Sequence, residues 1–235
     1  MREETYGGLH VRITGGTDRN GAGNGPVVVL LHGFGAPGND LVPLGRVLDV
    51  PQGTRFVFPE APMSLGSDYG SGRAWWLIDM VAVQLAMMRG EIRYRSREIP
   101  EGLAESRDRV NAMLDDIERE MKPSHLVLGG FSQGAMLSCD VTIRSGRKID
   151  ALVQLSGTWI AEDEWIPALP SRKGLPTLVS HGRQDQILPF VMAEKLRDKM
   201  TQARLAVRWI PFHGGHEIPP PVLDGLGKLV REITA

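Results

Sequence analysis

The stretch Leu126-Val127-Leu128-Gly129-Gly130-Phe131-Ser132-Gln133-Gly134-Ala135 decides how the rest of the chain reads. An apolar, strand-like run enters a glycine-rich turn. A helical run from Ala135 to Arg144 leaves it, with Gly146 placed to stop the helix. At its centre, Gly130-Phe131-Ser132-Gln133-Gly134 is a G-x-S-x-G pentapeptide. With 28 glycines in 235 residues, chance supplies such a pentapeptide in roughly one chain in six, so its setting carries the weight. A strand running straight in and a helix running straight out are what a nucleophile elbow requires. A turn that sharp forces the serine into strained backbone angles. A Cβ two residues to either side would strike the adjoining strand and helix, and Gly130 and Gly134 avoid this. Such a turn lifts the Ser132 hydroxyl above a sheet and aims the Gln133 N–H at a developing oxyanion. The plain alternative is a strand-to-helix turn holding an incidental serine.

Outward from this stretch the same alternation continues. Val27–Leu31 (VVVLL) is a continuous β-branched run, as expected of a strand covered on both faces. Residues 55–58, Ala151–Leu155, Thr177–Ser180 and Leu205–Ile210 read as further strands. Helices are expected over 101–121, Phe190–Met200 and Pro221–Ile233, with a shorter one capped by Asn39 or Asp40 and running to Leu48. Residues 15–26 are a Gly/Asn-rich loop. The pattern predicts an α/β chain with a mainly parallel central sheet and helices on both faces, one domain over residues 1–235.

Composition excludes other classes. Lys plus Arg is 27 against 28 for Asp plus Glu, which argues against a nucleic-acid partner. One cysteine excludes an internal disulfide and a cysteine-cluster zinc site. The first dozen residues hold no apolar signal core, and no apolar run reaches the roughly 20 residues of a membrane span. A cytoplasmic protein with no integral membrane segment is the expectation.

A serine hydroxyl needs a base, and the base needs an orienting carboxylate. On an elbow of this kind the chain order is serine, acid, histidine, each in a loop at a strand's C-terminal end. His10, His32 and His125 precede Ser132, leaving His181, His213 and His216. Asp185 follows the Thr177–Ser180 strand, where the acid belongs. His216 follows Gly214-Gly215 ahead of the last helix and is the expected base, with His213 its rival. His181 reads as a hydrogen-bonding partner of the loop that presents Asp185. The loop His32-Gly33-Phe34-Gly35 follows VVVLL directly, so the Phe34 N–H is the expected second oxyanion donor beside Gln133.

The most apolar stretch is Trp75 to Met88. It reads either as a cap over an acyl site, with Trp75, Trp76 and Met80 touching substrate, or as a buried helix or dimer contact. Arg93, Arg95 and Arg97 read as solvated surface, and Cys139 as a small buried apolar residue.

HGFGAPGND (32–40), FPEAP (58–62), AWW (74–76), LGGFSQGA (128–135), HGRQDQILP (181–189) and GGHEI (214–218) together resemble the phospholipase/carboxylesterase family of α/β-hydrolases. That family includes acyl-protein thioesterases and small bacterial carboxylesterases. The resemblance implies Ser132, Asp185 and His216 as the triad, Phe34 and Gln133 amides as the oxyanion hole, and Trp75 near the acyl pocket. It also leaves room for a homodimer through the apolar 75–88 stretch. Two stretches depart from it. The segment from Trp76 to about residue 103 looks long, making 75–100 a candidate cap or pocket-lining insertion, and the first 26 residues match nothing in the family pattern.

The expected function is a serine carboxylester hydrolase for short- to medium-chain acyl esters, needing no metal or organic cofactor. Lysophospholipase and acyl-thioesterase activity are the same chemistry with another leaving group. A catalytically silent small-ligand binder is the alternative from a different class.

Overall fold

The computed structural model of the chain describes residues 1–67, 70–89 and 96–235, with side chains throughout except at residues 86 and 87. Its strands are β1 (Arg2–Tyr6), β2 (Leu9–Gly15), β3 (Val27–Leu31), β4 (Arg55–Pro59), β5 (Met63–Ser64), β6 (Arg73–Ala74), β7 (Leu126–Phe131), β8 (Ala151–Leu155), β9 (Pro176–Gly182) and β10 (Ala206–Phe212). Its α-helices are α1 (Leu44–Val47), α2 (Met80–Met88), α3 (Leu103–Met121), α4 (Gln133–Arg144), α5 (Glu162–Ala168), α6 (Phe190–Gln202) and α7 (Pro220–Thr234).

Eight strands form one sheet in the order β1-β2-β4-β3-β7-β8-β9-β10, and β5 and β6 pair as a separate ribbon. From β4 to β10 every neighbour pairs in parallel. Parallel neighbours end on the same edge, so the loops after β3, β7, β8, β9 and β10 all open there. The β3 side chains show why both faces must be covered. Val27, Val29 and Leu31 enter one core with Leu114, Leu137 and Leu196, from α3, α4 and α6. Val28 and Leu30 enter the other with Val222, Leu226 and Val230 of α7. Each such side chain taken out of water contributes about 1.5–3 kcal/mol.

Residues 1–26, unmatched by the resemblance, hold a hairpin. Leu9, Val11 and Ile13 are buried and alternate with half-buried neighbours, the period-2 signature of a strand with one covered face. Its turn is Gly7-Gly8, both at positive φ (56° and 75°), as a two-residue hairpin loop demands. Pairing of β2 with β4 is antiparallel.

The helix expected from Asn39 or Asp40 to Leu48 shrinks to α1, the one turn Leu44–Val47. Pro43 has no N–H to donate, so it cannot make the bond back to Asn39 that a continuous helix requires. Residues 37–44 instead form successive tight turns, with Asp40 N–H on Pro37 O (3.0 Å), Val42 N–H on Asn39 O (3.2 Å) and Leu44 N–H on Leu41 O (3.0 Å).

Candidate active site

Strand β7 delivers the chain to Ser132 and α4 carries it away. Ser132 sits at φ 55°, ψ −116°, a region that non-glycine residues occupy only when the surroundings enforce it. Its N–H donates to Leu155 O at 2.9 Å, tying the turn to the end of β8. A Cβ at Gly130 would stand 2.5 Å from the carbonyl carbon of Gly134, and one at Gly134 would stand 2.0 Å from Leu31 O. The close approach that the pentapeptide implies is therefore present on both sides.

His216 and Asp185 come from the loops after β10 and β9. His216 Nδ1–H donates to Asp185 Oδ2 at 2.7 Å. That bond fixes the neutral tautomer with Nε2 unprotonated, the form that accepts a proton. Asp185 is buried, and its Oδ1 accepts the N–H groups of Ile187 and Leu188, both at 2.9 Å. Burial alone would raise its carboxyl. Hydrogen bonds from His181 and His216, the His216 charge when protonated and the Leu188 amide outweigh that and hold it well below the usual carboxylate range. The two loops interlock, since Gln184 N–H donates to Gly214 O at 3.0 Å and a Cβ at Gly182 would meet Gly215 O at 2.1 Å. The face of His216 packs on Phe131 at 4.7 Å between centroids. His213, the rival base, does not line the cavity described below.

The loop after β3 brings Gly33 and Phe34 beside Ser132. Buried His32 braces it, donating from Nδ1 to Gly33 O (2.8 Å) and accepting the Ala61 N–H on Nε2 (3.0 Å). Desolvation lowers its basicity, which favours this neutral form. Gln133 opens α4, so its backbone N–H has no acceptor within the helix. Its side chain is a clamp that the sequence did not reveal. Oε1 accepts the Trp75 N–H (3.0 Å) and Nε2 donates to Trp76 O (2.8 Å).

Ser132 and His216 open onto one cavity of about 280 Å³. Trp76 and Met80 line it, with Ile78 and Val83 beside them. Trp75 does not. Its indole is buried under the site, donating to His32 O at 3.0 Å, and its carbonyl accepts the Ser106 hydroxyl at 2.5 Å. Met136, Trp159, Ile160, Ile187, Leu188 and Met192 also line it, none of them singled out from sequence. Their signal was position, since each follows or faces a strand's C-terminal end. Helix α2 is a wall and not a buried helix, because Leu77, Val81 and Met88 around it are exposed. Asp40 and Glu98 bring carboxylates to the lining.

Arg97 is exposed, whereas Arg93 and Arg95 lie outside the described residues. Cys139 is fully buried, which pushes its thiol far up. Among the described residues no cluster of three His, Cys, Asp or Glu is placed to hold a metal, and no helix is long and apolar enough to cross a membrane.

The strand order, the strained serine between β7 and α4, and the site at the C-terminal edge of the sheet define an α/β-hydrolase. The family model described as Phospholipase/Carboxylesterase matches residues 19–232, and the chain belongs to that family of hydrolases. It is similar to acyl-protein thioesterase 1 of Kluyveromyces lactis, 32% identical over 172 residues covering 70% of this chain and 71% of that one. Acyl-protein thioesterase 1 of Aspergillus fumigatus is 27% identical over 190 residues, 76% of each chain. Among solved structures, esterase PE8 superposes with a TM-score of 0.80 at 27% identity, over 96% of this chain and 99% of that one. Acyl-protein thioesterase 2 of Zea mays shares the fold, with a TM-score of 0.72 at 20% identity over 96% and 99%.

Proposed function

We propose that the protein is a serine carboxylester hydrolase acting on short- to medium-chain acyl esters. The observation that carries this is a strained serine and an Asp-oriented histidine opening onto one largely apolar cavity. Ser132 Oγ attacks the ester carbonyl while His216 Nε2 takes its proton. Asp185 holds the tautomer and stabilises the imidazolium. The backbone N–H groups of Phe34 and Gln133 receive the oxyanion. His216 then protonates the leaving alcohol, and a water that it deprotonates hydrolyses the acyl-enzyme. Every proton is carried by serine, histidine or water, so no step calls for a metal or organic cofactor.

The acyl chain lies between Trp76, Met80 and Met192. A cavity of about 280 Å³ sits at the small end of ligand pockets, which run from roughly 300 to 1,000 Å³. That size supports the short- to medium-chain reading. The names of the thioesterase relatives support a second one, in which a thiolate leaves instead of an alkoxide.

The test is kcat/KM on 4-nitrophenyl esters from acetate to palmitate, with Ser132→Ala beside the wild type. The expected result is a maximum at short or medium chains and a loss of about 10⁶ in kcat for the variant. A maximum at long chains moves the assignment to a lysophospholipase or acyl-thioesterase. A loss under tenfold removes Ser132 as nucleophile and brings the ligand-binding alternative forward.

A further inference from the structure

We propose that His181 is a positioning residue that sets how strongly Asp185 draws on the His216 imidazole. The proposal rests on the Ser132, His216 and Asp185 reading above.

Asp185 Oδ2 is shared by two imidazoles. His216 Nδ1 lies 2.7 Å from it and His181 Nε2 lies 3.2 Å from it. The side chains of His181 and Asp185 are both wholly buried, so no water screens them. His181 Nε2 also stands 2.8 Å from Leu188 O. Both neighbours of that nitrogen are acceptors, so it carries the ring proton. The other nitrogen, Nδ1, is buried with no hydrogen-bond partner. A second proton there would be a buried N–H without an acceptor, which native structures rarely tolerate. His181 is thus a fixed donor and not a proton shuttle. It stitches the strand end at 181 to both the acid and Leu188, and Leu188 in turn gives its N–H to Oδ1.

Three N–H groups donate to one carboxylate, and the His181 Nε2–H, bonded to Leu188 O, stands 3.2 Å from its Oδ2; only the His216 bond takes part in the reaction. The share of negative charge that reaches His216 depends on how much His181 takes from the same oxygen. The other charged groups on the surrounding elements are Glu217, whose Oε1 accepts the Gly215 N–H, and Arg183, whose guanidinium lies over Phe190. Asp40 and Glu98 stand on the cavity wall. Removing the His181 donor leaves Oδ2 more negative, so His216 keeps its proton to higher pH.

The experiment measures kcat/KM for 4-nitrophenyl butyrate between pH 5 and 9. The proteins are wild type, His181→Leu, His181→Asn, His181→Gln and Ser132→Ala. A glutamine amide reaches the place of Nε2, an asparagine amide falls short of it, and leucine has no donor. The expected result is an acid limb displaced upward by about half a pH unit or more in the Leu and Asn variants. In the Gln variant the limb returns to the wild-type position, although the thermal midpoint falls in all three. A purely structural role lowers the midpoint and leaves the limb where it was. An unmoved or lowered limb in Leu or Asn protein that a fluorophosphonate still labels at Ser132 overturns the role of His181 alone. Retained turnover in Ser132→Ala, or a flat wild-type profile, overturns the triad reading and this proposal with it. Should neither loss variant fold, ring-nitrogen NMR of the wild type decides. His181 must stay neutral and protonated on Nε2 across this range, and any titration of its ring refutes the fixed-donor role.

Discussion

Gly134→Ala is the sharpest test of the elbow, because its consequence can be worked from distances. The added Cβ would lie 2.0 Å from Leu31 O, 2.4 Å from Leu31 C and 2.6 Å from His32 O. A carbon and a carbonyl oxygen rest at roughly 3.3 Å, so β3 and α4 must part by about 1 Å. All three obstructing atoms are backbone, so no rotamer change relieves the clash. Overpacking of this kind costs about 1–3 kcal/mol, and a backbone clash belongs at the upper end. Alanine's better helix propensity returns about 1 kcal/mol, which leaves a net loss near 2 kcal/mol. For a chain of this size that lowers the thermal midpoint by roughly 4–8 °C. The same 1 Å separates Ser132 from the His32–Phe34 loop, and a displacement of that size costs about 10² in rate. The assay is kcat/KM on 4-nitrophenyl butyrate with a calorimetric midpoint. Gly146→Ala serves as the control, since a Cβ there meets nothing within 4 Å. Activity within twofold of wild type and a midpoint within about 2 °C for Gly134→Ala would refute the elbow geometry.

Three further outcomes are expected. Met80→Trp fills the cavity from the α2 side, and the kcat/KM optimum on the 4-nitrophenyl ester series should move to shorter chains by several carbons, with acetate least affected. Folding holds the Asp185 carboxyl below its range in an unfolded chain. Its contribution to stability is therefore complete above about pH 5 and is lost as the solution is acidified. Urea unfolding at stepped pH should show a shallower acid-side slope in Asp185→Asn than in wild type. Gln133→Leu removes the clamp on Trp75 and Trp76 but keeps the backbone N–H of residue 133. Its KM for butyrate esters should rise more than its kcat falls, and an unchanged KM would count against the clamp.

Much of this arrangement is legible in the sequence for one physical reason. In a parallel sheet all strands end at one edge, so locating strand ends also locates the loops that can meet. Ser132, Asp185 and His216 each follow such an end, and the structure brings Asp185 to His216 and places both Ser132 and His216 at the cavity. What stayed hidden depends on side-chain direction. Trp75 and Trp76 are adjacent and identical, yet one packs beneath His32 and the other faces the cavity. The sequence carries no mark of which is which. The Gln133 side chain finds its partners 58 and 57 residues away, beyond any local pattern. The β1–β2 hairpin was readable from Leu9, Val11 and Ile13 around a Gly-Gly turn, but three alternating apolar residues are a faint signal beside a glycine-rich loop. The shortened α1 turns on Pro43, whose missing N–H outweighs a favourable cap at Asn39 or Asp40.

The segment from Asp185 to Leu188 has two duties at once. Its amides hold the carboxylate, and its Ile187 and Leu188 side chains form a wall of the cavity. Under the proposed function, selectivity and turnover are therefore linked on that side, and a substitution that reshapes the wall also disturbs the Asp185 carboxylate. On the α2 side, Ile78, Met80 and Val83 line the cavity from a segment that supplies none of the hydrogen bonds to Asp185. On that proposal, adaptation to new acyl groups, in nature or in a directed-evolution library, has its freedom there, and the Asp185–Leu188 wall stays the more resistant to change.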